Sequence, residues 1–356
     1  MAYLKLYRNK LKHNYDFISD LFGEKNISWG VVTKLFCGYR DYIEEVIKLG
    51  AIEIHDSRLS NLKVIKDINP GVQTVYIKPP PKDIIPDVVK YADVSFNSEL
   101  STIRQLSEEA EKQNKKHKVI IMIEMGDLRE GVMRDELVDF YGDIFRLPNI
   151  QVVGLGTNLN CLHGVMPNTD KLIQLALYKQ IIELKFDRTI PWVSGGTTVT
   201  IPLLLRGEMP QGVNHFRIGE ALYFGADLFT GKTIPGMESS VLELFSQIIE
   251  IHEKPMVPSG TLAANPSGNV TEIDESLYGK TTYRAILDIG NLDINPDFLI
   301  PKTENINIVD ASSDMLVVDV GKNDQDYKVG DFIPFELKYM GALSIMNSNY
   351  IEKHIE

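Results

Sequence analysis

A (β/α)8 barrel of the TIM type, followed by a mostly β C-terminal domain, is the fold this sequence predicts. Three observations predict it. Over the first two thirds, short apolar runs alternate with amphipathic stretches whose apolar residues recur at three- and four-residue spacing. Those runs are continuous rather than alternating, as in parallel strands covered on both faces. After Gly225 the helical pattern stops and short strands separated by turn signals take over.

The elements follow in order. Eight apolar runs lie at Ile27–Thr33, Ala51–His55, Val72–Ile77, Ala92–Phe96, Lys118–Glu124, Ile150–Leu155, Ile190–Val193 and Val213–Ile218. Between them, Arg40–Leu49, Ser98–Gln113 and Lys171–Leu184 read as helices. Eight strand–helix units in about 230 residues is the count of a barrel, and no Gly-rich dinucleotide turn follows the first strand to favour an open doubly wound sheet. Leu228–Ser239, rich in Gly, Thr and Pro, reads as a linker. Strands are expected at Ser240–Ile251, Thr281–Ile289, Asn305–Val309, Met315–Val320 and Asp331–Leu337. Turns are expected at Pro258-Ser259-Gly260, Asn265-Pro266-Ser267-Gly268 and Gly321-Lys322-Asn323. The predicted domains are therefore residues 1–234 and 235–356.

Composition narrows the function. With 44% hydrophobic residues in 356, the chain has material for large cores and is not disordered. No run approaches the ~20 apolar residues of a membrane span, and the N-terminal MAYLKLYRNKLKHNYDF lacks the apolar core of a signal peptide. Lys+Arg 37 against Asp+Glu 49 leaves −12, with no basic run to hold a nucleic acid. Cys37 and Cys161 are too few for a secreted disulfide scaffold, so a cytoplasmic location is expected. The seven histidines show no paired metal-ligand spacing, and no metal site is expected. No G-x-S-x-G elbow marks a hydrolase nucleophile.

In a barrel, chemistry gathers at the C-terminal strand ends. Those ends present Lys34, then Asp56-Ser57-Arg58, then Glu124 with Gly126-Asp127-Leu128-Arg129-Glu130-Gly131. They continue with Gly156-Thr157-Asn158-Leu159-Asn160, Ser194-Gly195-Gly196-Thr197-Thr198 and Arg217-Ile218-Gly219-Glu220. The last two segments carry hydroxyls, glycines that let backbone approach a ligand, and a loop-to-helix turn, the ingredients of a phosphate site after strands seven and eight. A lysine at the end of an apolar strand is expected to be desolvated and nucleophilic. Lys34 with a phosphate site points to pyridoxal 5′-phosphate held as a Schiff base.

These segments resemble the alanine racemase superfamily, and most closely its alanine/ornithine racemase branch. The marks are GVVTKLFCG, HDSRLSNL, NSELSTI, IEMGDLREGV, GLGTNLNCLHGVMP, VSGGTT, HFRIGEALYFG, DIGNLDI and DASSDMLVVDV, which span nearly the whole chain. The resemblance implies a racemase that interconverts L- and D-amino acids, ornithine or a related amino acid favoured, by two-base proton transfer at the α-carbon. It implies that Lys34 is the Schiff-base lysine and one base, and that Arg217 faces the pyridine nitrogen. Ser194, Gly195 and the backbone at Gly219 and Glu220 match phosphate binders, and Tyr339 matches a tyrosine reaching the phosphate. Arg129 matches an arginine near the substrate carboxylate, and Asn158 falls where alanine racemases stack a histidine on the cofactor ring. Asp314 matches an acidic position projecting into the partner's site, so a homodimer with shared active sites is implied.

The chain departs from alanine racemases in three places. Gly38 replaces a tyrosine four residues after the lysine. The stretch TLAANPSGNV lacks the second catalytic tyrosine, the nearest being Tyr278 and Tyr283. SGGTT and CLHG, with His163, stand where the alanine/ornithine racemase branch commonly has SGGNS and CYGG. The rivals are a barrel-type pyridoxal-phosphate decarboxylase, which usually sets a carboxylate where Arg217 stands, and a non-enzymatic pyridoxal-phosphate-binding protein, which resembles the barrel alone.

Overall fold

The chain opens on a strand, β1 (Tyr3–Leu6), whose alternation buries Leu4 and Leu6. The computed structural model describes residues 1–264, 268, 270 and 272–356, so most of the expected turn Asn265-Pro266-Ser267-Gly268 lies outside the described residues. Two compact units emerge: residues 7–241, and residues 242–356 together with residues 1–6.

The larger unit begins with α1 (Arg8–Gly23) and then alternates. Its order is β2 (Ser28–Val32), α2 (Arg40–Lys48), β3 (Glu53–Asp56), α3 (Leu59–Ile68), β4 (Gln73–Tyr76), α4 (Ile85–Tyr91), β5 (Val94–Asn97), α5 (Leu100–Lys112) and β6 (His117–Met122). It continues with α6 (Leu137–Ile144), β7 (Ile150–Gly156), α7 (Thr169–Phe186), β8 (Trp192–Ser194), β9 (Gly196–Thr197), α8 (Ile201–Leu205), β10 (His215–Ile218) and α9 (Glu220–Phe224). All pairs from β2 round to β8 are parallel, and β10 pairs in parallel with both β2 and β9. Residues 192–197 act as one strand interrupted at Gly195: β8 bonds to β7 and β9 to β10, which closes the barrel. Each of the eight expected apolar runs overlaps one of these strands, because each lies between helices and barrel interior and has no solvent face to encode. Val75, Val94, Phe96, Ile120, Met122 and Val153 form an apolar core cluster.

Residues 228–239, expected as a linker, belong to this unit. β11 (Ala226–Asp227) and β12 (Lys232–Thr233) pair as a small hairpin. The chain then runs back along α1, where buried Asn14 donates to Leu222 O and Glu238 O and accepts from Glu238 N. These bonds carry the unit to Val241, seven residues beyond the expected boundary at 234.

The smaller unit contains β13 (Leu242–Pro255), β14 (Thr281–Leu287), β15 (Leu299–Pro301), β16 (Asn307–Ala311), β17 (Leu316–Asp319), β18 (Phe332–Leu337), α10 (Tyr339–Asn347) and β19 (Glu352–Ile355). The first half of the long β13 pairs with β1 and β18, and its second half pairs with β14 across a bulge at Ile248–Glu250. β1 also pairs in parallel with β19. The N-terminal strand therefore sits with residues 242–356. A four-residue strand carries no pattern long enough to separate it from the helix that follows; its partners lie more than 200 residues away.

The motifs DIGNLDI and DASSD touch each other in this unit. Asn291 N and Leu292 N donate to Ser312 O and Ser313 O at 3.0 and 2.8 Å. A Cβ on Gly290 would come within 2.5 Å of Asp314 N, so only glycine permits the crossing. No helix among the described residues is long and apolar enough to cross a membrane.

Candidate active site

Lys34 stands just past β2, on a 3-10 turn that runs to Phe36. Its side chain is exposed, which corrects the expectation of a desolvated amine: the strand stops at Val32, buried Thr33 still bonds to β3, and Lys34 is the first exposed residue past the strand. The strand end itself is tightly held. Buried Tyr223 donates to Val32 O at 2.9 Å, and Thr33 Oγ1 donates to Asp56 Oδ2 at 3.0 Å. Asp56 also accepts from Arg58 N and Asn61 Nδ2 at 2.9 and 3.0 Å, which accounts for the spacing in HDSRLSN. Burial pushes the Asp56 carboxyl up to about 6, although these hydrogen bonds oppose the shift. Gly38, where alanine racemases carry a tyrosine, has φ +81°, and a Cβ there would lie 2.8 Å from Asn61 Oδ1. Both the backbone and its neighbour exclude a side chain at that point.

Arg217 is the centre of the site. β10 places it inside the barrel at 5% exposure. Nη1 donates to Ser194 O and Oγ at 2.6 and 2.7 Å, and Nη2 donates to Thr157 O and Asn158 Oδ1 at 2.7 and 2.8 Å. The guanidinium also lies 5.4 Å from the centroid of Phe96. Burial pulls it down to about 10, still protonated at neutral pH.

Asn158 joins Arg217 to the loop after β6. Its Nδ2 donates to Glu130, which also pairs with Arg129 through Nε and, at 2.7 Å, Nη2. Arg129, exposed at the loop, is thereby tied to Arg217 through one carboxylate and one amide. Asp127 is spent differently. Its carboxylate accepts from the amides of Cys161, Leu162, His163 and Val165 at 2.9–3.2 Å. Burial raises the Asp127 carboxyl, but the four amides outweigh it and hold the group below the usual range. Asp127 thus anchors the loop after β7, whose His163 side chain is exposed.

The turns after β8 and β10 lie side by side, since Ala221 N donates to Thr198 Oγ1 at 3.0 Å. The buried Ser194 hydroxyl bonds to His215 Nδ1 and Arg217 inside the barrel. A Cβ on Gly195 would meet Leu175 at 2.8 Å, and one on Gly196 would meet the Phe216 ring at 2.2 Å. Packing in the wall therefore requires glycine at both positions. Gly219 is likewise set against Val32, 3.2 Å from a Cβ placed there. Glu220 heads α9, and its carboxyl is raised by burial while the Lys34 charge opposes the shift, so the two residues face one another electrostatically.

Sequence reasoning missed a cluster in the barrel interior. Glu53 and His55 on β3 and His215 on β10 bring ligand-capable atoms within 4.8 Å of one another. The only signal was the i, i+2 pair Glu53-Ile54-His55, which alternation places on one strand face. In the smaller unit, Tyr339 opens α10, and Asp314 is exposed on the turn between β16 and β17, where it accepts from Ser313 Oγ at 3.1 Å.

Comparison with known proteins agrees with this architecture. The family described as alanine racemase, N-terminal domain, matches residues 7–227. The ornithine racemase of Acetoanaerobium sticklandii is 37% identical over 348 residues, 98% of this chain and 97% of that protein. The lysine racemase of Thermotoga maritima is 30% identical over 358 residues, 100% of this chain and 99% of that protein. Among solved structures, alanine racemase from Bartonella henselae with covalently bound pyridoxal phosphate superposes with a TM-score of 0.75 at 16% identity. That match covers 100% of this chain and 99% of that one.

Proposed function

The chain belongs to the alanine racemase family, and from that premise we propose that it is a pyridoxal 5′-phosphate-dependent amino-acid racemase acting on a diamino acid, ornithine foremost. The family and the racemase activity rest on the full-length relatives. The observation that carries the site reading is Arg217: a protonated guanidinium, buried and held by four acceptors, on the strand that pairs with the one leading to Lys34.

The residues fit the cofactor. The donor set joins an amine at a strand end, a cluster of hydroxyls at Thr197, Thr198 and Thr200, and a fixed cation in the wall. Thr157 Oγ1, beside the Arg217 contacts, is buried without a hydrogen-bond partner among the described residues. Lys34 would hold the group covalently, Arg217 would face its ring nitrogen, and the turns at residues 195–198 and 219–220 would hold its phosphate. When bound, the cofactor supplies the electron sink that makes the substrate α-proton acidic.

The chain's own residues do the rest. Lys34 Nζ takes the α-proton on one face and returns it on the reverse reaction. A second acid/base group serves the other face, since inversion needs a proton donor opposite the acceptor. Arg217 stays charged throughout and passes no proton to the ring, which restrains side reactions. Arg129 binds the substrate carboxylate, oriented by Glu130. Asp127 and Glu130 are committed to amides and to Arg129 and Asn158, which leaves Asp314 for the distal amine, reaching the site of the other subunit in a homodimer. Two cysteines in 356 residues accord with a cytoplasmic home.

The test is chiral chromatography of L-ornithine, L-lysine and L-alanine incubated with the purified protein and pyridoxal 5′-phosphate. Inversion of ornithine, with slower or no inversion of alanine, is expected. Carbon dioxide release without inversion overturns the reading. Borohydride treatment should fix the cofactor on the peptide containing Lys34; a label on any other lysine overturns the assignment.

A further inference from the structure

The cluster of Glu53, His55 and His215 is unused by the mechanism above, yet it is costly. Both imidazoles are fully buried and Glu53 is 6% exposed. A charge placed so deep persists only when it is paired. Hydrogen bonding accounts for the arrangement. Glu53 Oε1 accepts from His55 Nε2 at 2.5 Å and from His215 Nε2 at 2.8 Å, and Gln73 Nε2 donates to Oε2 at 2.5 Å. Burial works against the ionised carboxyl, but the two imidazole donors hold Glu53 well below the usual carboxylate range. Gly30 makes room: a Cβ there would lie 2.3 Å from His55 Nε2 and 2.8 Å from Glu53 Oε1.

The cluster also has a direction. A carboxylate only accepts, so both Nε2 atoms carry protons. With the His215 ring proton on Nε2, its Nδ1, 2.7 Å from the Ser194 hydroxyl, is the acceptor of that hydrogen bond. The Ser194 oxygen in turn accepts from Arg217 Nη1 at 2.7 Å. Every donor along this chain points from Arg217 towards Glu53, so the bonds polarise one another in one sense. The imidazole is not free to turn, because Trp192 stacks on His215 at 4.6 Å between centroids. Arg217 makes no direct ion pair among the described residues.

We propose that Glu53 is a positioning residue for Arg217, a relayed counter-ion acting through His215 and Ser194 to hold the guanidinium in one orientation. The inference rests on the reading that Arg217 faces the cofactor.

A double-mutant cycle on the holoenzyme tests it. Glu53→Gln keeps the shape and removes the charge. It is expected to lower kcat about tenfold, the worth of one charge-assisted hydrogen bond, with KM little changed and a larger share of transaminated product. In a Ser194→Ala background, where the chain is already cut, the same change should cost less than about twofold. Parent kcat and product ratio in Glu53→Gln, or full additivity with Ser194→Ala, overturns the proposal. Nitrogen-15 spectra of the histidine-labelled parent protein, with and without cofactor, need no variant. They should show His215 protonated at Nε2 only, and a proton on Nδ1 overturns the chain. If the parent protein takes up no pyridoxal phosphate on Lys34, the functional reading fails. If it takes up the cofactor and racemises while the cycle is additive, this inference fails alone.

Discussion

Asn158 accepts from Arg217 Nη2 at 2.8 Å through Oδ1 and donates through Nδ2 to Glu130. One side-chain amide thus joins a buried cation to the carboxylate that also holds Arg129. The two arginines assigned to the cofactor ring and the substrate carboxylate are mechanically linked, and loosening one disturbs the other.

Glu130→Gln tests that link. The charged partner of Arg129 is lost while the amide still reaches Asn158. With Arg129 partly exposed, the expected loss in kcat/KM is about tenfold, carried mainly by KM, with little change in melting temperature. Steady-state kinetics on the substrate identified by chiral chromatography provides the check. Unchanged KM would remove Arg129 from the substrate carboxylate.

Arg217→Lys should be less stable by about 1–3 kcal/mol, since one ammonium cannot satisfy acceptors on both the Ser194 and Thr157 sides and at least one is left buried without a donor. Denaturant midpoints measure this. Racemisation should fall together with stability, whereas a variant with the parent midpoint would mean that water or another donor fills the gap. Arg217→Glu should be worse, because a carboxylate would face the oxygens of Ser194, Thr157 and Asn158.

Asp56 gives a pH prediction of definite sign. Its folded carboxyl, pushed up to about 6 by burial, holds its proton more tightly than in the unfolded chain, near 3.8. Between those values the folded state binds more protons, so raising the pH costs stability. The stability of Asp56→Asn relative to the parent should therefore grow from pH 3.5 to pH 7, by up to about 3 kcal/mol. Thr33 Oγ1 can turn to His55 O, 3.4 Å away, to accommodate the new amide. A difference that is flat with pH would show that Asp56 is not held protonated near 6.

The shared-site dimer is tested by mixing inactive Lys34→Ala and Asp314→Ala proteins under conditions that exchange subunits. Half the dimers are then mixed and each carries one intact site of two, so activity should return to about a quarter of the parent. No recovery despite proven exchange would place both residues in one chain's site. Retained activity in Asp314→Ala alone would show that Asp314 is dispensable.

The eight strands and the change of character after Gly225 were legible in the sequence, because each is encoded in local apolar periodicity and in glycine and proline. Lys34, Arg129, Asn158 and Arg217 were legible as strand-end and motif residues. Their partners were not. That Asp127 is spent on four amides, that Ser194 turns inward to His215, and that Gly195 and Gly196 yield to Leu175 and Phe216 all depend on neighbours 20 to 40 residues away. Local pattern states that a residue is polar, but not which polar atom it will meet. The same holds for β1, whose four residues become a strand only because β13 and β19 offer edges to it, and for Glu53, His55 and His215, brought together only when the barrel closes. The sequence by itself determined the fold class and the kinds of chemical group at the strand ends. Only the tertiary structure decided how each charge is compensated, because compensation requires contact, and contact between distant segments exists only in the folded chain.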